Sequence, residues 1–228
     1  MAARSTPAKS RQNTRDRILE NSLRLFNQRG VEKVSALDIS KALSISPGNL
    51  TYHFKKKQDI VDALVEALEQ DLLTALEDID TIGALAQDHQ QWVNRLFGLL
   101  WQYRFFFNDI TYLGLNAPKL KKKYGFFKNS STGKMRDNYK RLEQAGLMNP
   151  IVAPNTVELL VDNIWYLWLS YVRIYAFEVG SRKCSQEGFI NFASRHNMAL
   201  MFSHYTDEVK QGLNLDPLEA TESEEEPA

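Results

Sequence analysis

The stretch from residue 35 to residue 57 constrains the fold more than any other part of the chain. It reads SALDISKALSISPGNLTYHFKKK. Ile39, Ala42 and Leu43 recur at helical spacing, so the pattern predicts a short helix over 36–43 with one apolar stripe. That stripe indicates the face on which the helix packs against a neighbour.

A second short helix is predicted directly after a turn at 44–46. Pro47 suits its first position, because the N–H that proline lacks has no partner there. Leu50 and Phe54 are four residues apart, so they lie on one face and point back at the first helix. The pattern therefore predicts a helix over Pro47–Phe54, packed on the helix before it.

The opposite face of this second helix is polar and aromatic. Gly48, Asn49 and Tyr52 face outward there, beside the lysines at 55–57. A small helix pair with such an outer face fits the major groove of DNA. The sequence thus favours a helix-turn-helix.

Charge is segregated along the chain although the total is zero. Residues 1–60 contain twelve Lys and Arg against five Asp and Glu, a net charge of +7, so the remaining residues carry −7. A basic head on an acidic body is expected when only the head touches a polyanion. The coincidence of the basic head with the helix-turn-helix favours DNA as that polyanion.

The region from about Thr14 to about Leu76 resembles the TetR family of bacterial repressors. The resemblance is carried by ILENSLRLFNQRG, by ALDISKALSIS and by PGNLTYHFKKKQDIVDAL, which leads into a long fourth helix. The family often has an aromatic residue where this chain has Thr51. The resemblance implies an all-α fold, in which an N-terminal three-helix DNA-binding domain is joined by a long helix to a larger helical domain for ligand binding and dimerisation.

The expected organisation has four parts. Residues 1–13 are a disordered basic arm, in which Arg4, Lys9 and Arg11 could add nonspecific DNA affinity, and 14–57 form the helix-turn-helix domain. Residues 58–211 form the ligand-binding and dimerisation domain, and 212–228 form a disordered acidic tail. Helix 1 is predicted over Thr14–Arg29 with Gly30 after it, and helix 4 from Lys57 to about Leu76.

The predicted DNA contacts divide by task. Asn49 carries an amide that matches adenine in the major groove, whereas hydroxyl groups and lysines bind phosphates. Ser35 and Ala36 are included because the resemblance implies DNA contacts at the start of helix 2. Asn49, Tyr52 and Lys57 are favoured as DNA contacts, whereas Lys55, Lys56, Ser35 and Ala36 fit a solvated surface equally well. The full predicted set is Ser35, Ala36, Ser46, Gly48, Asn49, Thr51, Tyr52, His53, Lys55 and Lys57.

Helical periodicity without strand alternation continues after Asp80. It predicts helices near 84–103, 104–116, 119–145, 155–179 and 186–211, with Asn155 and Glu158 as a capping box. The last two helices are expected to form the dimer surface, as in the family. The helices of the body are rich in aromatic residues, and an apolar pocket with few polar groups is the usual form of a small-molecule site.

A pocket for a mainly apolar inducer is therefore expected in the body. Its predicted lining is Trp101, Phe105, Tyr112, Trp165, Trp168 and Tyr171. The lysines at 119 and 121–123 are interpreted as a solvated surface, and the alternative is an anion clamp for the phosphorylated tail of an acyl thioester.

The motifs give no basis for an enzyme, a cofactor or a metal site. No phosphate-binding loop, dinucleotide fingerprint or zinc-protease motif occurs, and the four histidines are scattered. A single cysteine, Cys184, excludes an intramolecular disulfide. With no secretory signal and no apolar run long enough to span a bilayer, the chain is expected to be a cytoplasmic bacterial protein.

The expected function is that of a sequence-specific transcriptional regulator, a homodimeric repressor on a palindromic operator that a small molecule releases. The alternative is a helical dimeric adaptor, or a nucleoid-associated or division-associated DNA-binding protein, that has no inducer.

Overall fold

The computed structural model describes residues 13–77, 86–180 and 183–212. Within these ranges all regular elements are helices, apart from an isolated antiparallel bridge between Met148 and Tyr205, which confirms the all-α fold. The helices are α1 Thr14–Arg29, α2 Ala36–Leu43, α3 Pro47–His53, α4 Lys57–Glu77, α5 Ala86–Gln102, α6 Arg104–Asn108, α7 Ile110–Asn116, α8 Pro118–Gln144, α9 Val157–Val179, α10 Gln186–Met201, a 3-10 turn Phe202–His204 and α11 Asp207–Gly212.

The first three helices form a small head around one apolar core. Ile18 and Phe26 of α1, Ile39 of α2 and Leu50 of α3 are all buried. Ala42, which the spacing places in the apolar stripe, is exposed. The buried side of α2 runs instead through Ser40, whose Oγ donates to the backbone carbonyl of Ala36 at 3.0 Å and so is not left without a partner.

Helix α4 belongs to both halves of the molecule. It begins in the head and buries a continuous stripe that includes Ile60, Leu64, Leu68 and Leu72. With 21 residues it is about 30 Å long, and it crosses the predicted domain boundary between 57 and 58. The same helix therefore contributes to the packing of both halves.

The body packs α5, α8, α9 and α10 around an aromatic core. The ring of Phe97 lies 5.7 Å from that of Trp168 and 6.4 Å from that of Phe189. Phe189 in turn stacks on Trp101 at 5.3 Å. These ring contacts fill the space between α5, α9 and α10 with side chains.

Two predicted helices are each interrupted. The segment 104–116 is split at Asp109, whose carboxylate accepts a hydrogen bond from the head at Val31 N. The segment 186–211 is broken after Met201, where the backbone at 204–206 pairs with that at 147–149 and Tyr205 is buried. Tertiary contacts thus override the local periodicity at both places.

The start of α9 also differs from the prediction. The Oγ1 of Thr156, not the side chain of Asn155, accepts the capping hydrogen bond, from Leu159 N at 3.1 Å. The helix consequently begins at Val157. The predicted N-terminal arm and acidic tail lie outside the described residues, except for Asn13 and Gly212.

Candidate nucleic-acid interface

The orientation of α3 is set by its buried side. Leu50 and the C-cap residue Phe54 are 3% and 5% exposed, so they hold α3 against the head core. The opposite side presents Gly48, Asn49 and Tyr52 to solvent, with Tyr52 85% exposed. A large aromatic residue so exposed is available to a partner.

Local hydrogen bonds separate the predicted contacts on α3 into two groups. Ser46 Oγ accepts from Asn49 N at 3.1 Å as the N-cap, and Thr51 Oγ1 donates to Pro47 O at 2.8 Å. These hydroxyl groups are therefore partly used by the helix itself. The side-chain amide of Asn49 makes no hydrogen bond in the described part of the chain, so its donor and acceptor are available together.

The start of α2 is a reciprocal capping box. Ser35 Oγ accepts from Asp38 N at 3.1 Å, and Asp38 Oδ2 accepts from Ser35 N at 2.8 Å. The hydrogen bond from the Ser35 side chain is the largest of several effects that lower the pKa of Asp38. Because the Ser35 side chain is committed to the cap, the exposed backbone N–H at Ala36 is the more available phosphate donor at this helix start.

The three consecutive lysines lie in different environments. Lys55 and Lys56 are exposed. Lys57 Nζ instead donates to Val31 O at 2.8 Å, and burial lowers its pKa, partly offset by Glu32 and Asp109. The sequence favours Lys57 as the strongest phosphate ligand of the three, but one of its three N–H donors is used inside the protein.

His53 lies between the outer face of α3 and the body. Its ring meets that of Tyr52 edge to face at 5.2 Å. Both line an open cleft of about 440 Å³, which separates the head from the start of α8. Of the predicted DNA contacts, Tyr52, His53 and Lys55 line this cleft.

Two of the lysines at the start of α8, Lys119 and Lys123, form ion pairs with α4 along this cleft. Lys119 Nζ lies 3.7 Å from Asp62 Oδ2, and Lys123 Nζ lies 2.6 Å from Glu66 Oε1. Farther along the two helices, Lys134 pairs with Glu77. The predicted solvated surface is therefore in part a row of ion pairs between α8 and α4.

Comparison with known proteins places the chain in a family. A family model described as bacterial regulatory proteins of the tetR family matches residues 18–64, and a second model, TetR, described as bacterial transcriptional repressor, matches residues 67–213. The chain belongs to the TetR family. The first match contains the whole candidate DNA-binding surface, so the family resemblance of the sequence is confirmed.

Curated relatives match this TetR-family chain over part of their length. AcrR of Shigella flexneri is 39% identical over 61 residues, which is 27% of this chain and 28% of AcrR. YttP of Bacillus subtilis is 28% identical over 105 residues, or 43% of this chain and 51% of YttP. The chain thus spans about half or less of the length of these relatives.

Solved structures match nearly the whole chain. A TetR-family transcriptional regulator from Marinobacter aquaeolei VT8 is 26% identical, with a TM-score of 0.75, over 88% of this chain and 95% of that one. SmeT, the repressor of a Stenotrophomonas maltophilia multidrug efflux pump, is 16% identical with a TM-score of 0.61 over 90% and 97%. The second likeness concerns the fold alone.

The predicted ligand-binding aromatics do not line one pocket. Trp168 borders a cavity of about 60 Å³ between α5, α8, α9 and α10, but the other five do not. Phe105 packs on Phe26 at the head, and Trp101 lies between Phe189 and the Arg104 guanidinium. Helical spacing identified aromatic residues that are buried or partly buried and that pack against other side chains of the core.

The remaining three are held in separate contacts. Trp165 donates from Nε1 to Tyr124 Oη at 3.1 Å, and Tyr171 packs on Phe97 and His196. Tyr112 lies partly buried on α7. The six aromatics are therefore not brought together around either described cavity of the body, and the six-residue pocket stays a prediction.

Sequence reasoning missed the polar residues that join the head to the body. Asn27 Nδ2 donates to Gln102 O at 2.8 Å, and Asn27 Oδ1 accepts from Phe105 N at 2.9 Å. Asp109 accepts from the head at Val31. The only sequence signal was a polar residue interrupting an aromatic run, which does not identify its partner.

The described residues contain neither a candidate metal site nor a candidate membrane span. No group of three or more His, Cys, Asp or Glu side chains in that part is placed to hold a metal ion. None of its helices is both long and apolar enough to cross a membrane.

Proposed function

We propose that the protein is a sequence-specific DNA-binding repressor, acting in the cytoplasm, which a small and mainly apolar molecule releases from its operator. The observation that carries the proposal is the outer face of α3, where Asn49 and Tyr52 are exposed while Leu50 is buried. An exposed amide on a recognition helix can make the paired hydrogen bonds that distinguish adenine. We assign no enzymatic activity to the chain.

A homodimer is the form in which this repressor would act. Helix α9 carries an apolar stripe that the single chain leaves exposed: Leu159, Tyr166, Ile174 and Phe177 are 52%, 53%, 45% and 86% exposed. Leu159, Tyr166 and Ile174 recur every seven or eight positions, and Phe177 follows three later, so the four share one face. Burying this face against its copy in a second chain would give a dimer whose two heads are related by a two-fold axis. A palindromic operator has the same symmetry.

Release by a ligand follows from the two ends of α4. The first end carries the head, and the last turn lies against the body. A ligand that binds better to a dimer whose heads are wrongly spaced for the operator lowers the affinity of the protein for DNA. The coupling is reciprocal, so DNA lowers the affinity for the ligand by the same factor. The ion pairs between α8 and α4 join the two helices in the arrangement that the structure shows.

Selection of bound duplexes from a random DNA library tests the proposal. A recovered palindrome, with half-sites about one helical turn apart, is expected. Binding with a steep salt dependence but no recovered consensus would contradict sequence-specific regulation. It would favour the alternative of a nonspecific nucleoid-associated or adaptor protein instead.

A further inference from the structure

One side chain that lines the small cavity in the body has a buried acceptor without a partner in the described part of the chain. Asn138 of α8 lines the cavity and is 3% exposed, and no described residue donates a hydrogen bond to its Oδ1. Its Nδ2 donates to Leu76 O at 2.8 Å. This bond fixes the orientation of the amide, because the flipped form would set two oxygens against each other. A buried acceptor without a partner costs free energy, so it calls for a donor.

The rest of the cavity wall is apolar and adaptable. Met135, Met148 and Met201 line it, which is three of the five methionines in the chain. Methionine side chains are flexible and polarisable, so they reposition around ligands of different shape. The cavity of about 60 Å³ is smaller than the 150 Å³ or so that accommodates benzene, so an aromatic ligand requires these side chains to move outward.

The cavity is connected by hydrogen bonds to the last turn of α4. Besides Asn138 at Leu76 O, Trp92 of α5 lines the cavity and donates from Nε1 to Ala75 O at 2.8 Å. Carbonyls in the last turn of a helix have no intrahelical partner. Two cavity-lining side chains therefore cap the end of the helix whose other end carries the DNA-binding head.

We propose that this cavity is the effector site, and that Asn138 Oδ1 accepts a hydrogen bond from a hydroxyl or N–H donor on a small, otherwise apolar ligand such as a phenol. The proposal rests on the proposed function and names its ligand class. Displacement of Asn138 or Trp92 by the ligand loosens the capped end of α4. A ligand of the same shape without a donor leaves the acceptor unsatisfied and binds more weakly.

Phenol and toluene are the probes, since they differ in size very little and only phenol carries a donor. Calorimetry on the full chain without DNA should show that the ratio of phenol affinity to toluene affinity is about tenfold higher in the wild type than in Asn138→Leu, because only the wild type offers the hydroxyl an acceptor. Asn94→Leu is the matched control, because it removes a partly buried amide of α5 outside the cavity and keeps the acceptor, so it should retain the wild-type ratio.

The proposal would be overturned if Asn138→Leu kept the wild-type ratio, if Asn94→Leu lost it, or if neither probe bound and a crystal structure showed only a water on Asn138 Oδ1. DNA affinity is measured separately. Phenol binding that leaves DNA affinity unchanged would refute release by a ligand at this site but not the site itself.

Discussion

The carboxylate of Asp109, between α6 and α7, accepts a hydrogen bond of 2.6 Å from the backbone N–H of Val31 in the head. The carbonyl of the same residue, Val31, accepts from Lys57 Nζ. One backbone unit of the head is thus held on both sides, by the body and by the start of α4. Asn27 adds two hydrogen bonds to the same junction. These polar contacts join the head to the body beside the packing of Phe105 on Phe26 and the continuous helix α4.

Removing the Asp109 carboxylate should weaken this junction. Asp109→Ala leaves the Val31 N–H without its acceptor, so we expect the free energy of unfolding to fall by about 1–2 kcal/mol. Asn108→Ala, at the exposed neighbour, should change it by less than about 0.5 kcal/mol. Urea unfolding followed by circular dichroism measures both. Equal effects of the two variants would show that the bond does not stabilise the protein.

Acidification should stabilise the wild-type protein relative to Asp109→Asn. Burial is the largest effect on the pKa of Asp109 and raises it above 3.8, so the folded state takes up the proton more readily than the unfolded state. The contribution of this group is fully present below pH 3.8 and is lost as the pH rises through the raised pKa. The asparagine variant cannot titrate there. The free energy of unfolding of the wild type, relative to that of the asparagine variant, should therefore increase between about pH 7 and about pH 4. A difference that stays constant over this range would contradict the prediction.

Lys55 and Lys57 should have separable roles. Lys55→Ala should reduce the slope of log affinity against log salt by about one for each phosphate that is no longer neutralised, and by twice that in a dimer. Lys57→Met removes the hydrogen bond to Val31 O, so it should lower the free energy of unfolding by about 0.5–1.5 kcal/mol with a smaller change in slope. Binding to a random duplex at several salt concentrations measures the slopes. If Lys57→Met stayed stable but reduced the slope more than Lys55→Ala, Lys57 would be the main phosphate ligand after all.

The sequence was most informative where structure is local. The bounds of α1 and α2, and the inward side of α3, follow from spacing and capping that lie within a few residues of each other. The break at Asp109 could not be predicted in this way, because its cause is a hydrogen bond to Val31, 78 positions away. Trp101 and Phe105 have the pattern of buried aromatics, but periodicity does not say whether the space beside a buried ring is filled.

The exposed stripe of α9 should control assembly. Ile174→Asp places a charge within the proposed interface, where it would have to be desolvated, so the protein should become monomeric and bind the operator poorly. Gln144→Asp, at an exposed position at the end of α8, is the control and should remain dimeric. Sedimentation at micromolar concentration distinguishes the two. A dimeric Ile174→Asp would place the interface elsewhere.

Sequence reading should depend on Asn49 more than on its neighbour Thr51. The amide of Asn49 is exposed and makes no hydrogen bond in the described part of the chain, whereas Thr51 Oγ1 is bonded to Pro47 O. Asn49→Ala should cost about 1–3 kcal/mol on the selected operator and relax the preference at one base pair in each half-site. Its affinity for random duplex should stay nearly unchanged, because phosphate contacts supply that binding. Thr51→Ala should cost less on the operator. Measured by fluorescence anisotropy on both duplexes, an equal loss on operator and random DNA for Asn49→Ala would show that Asn49 does not read a base.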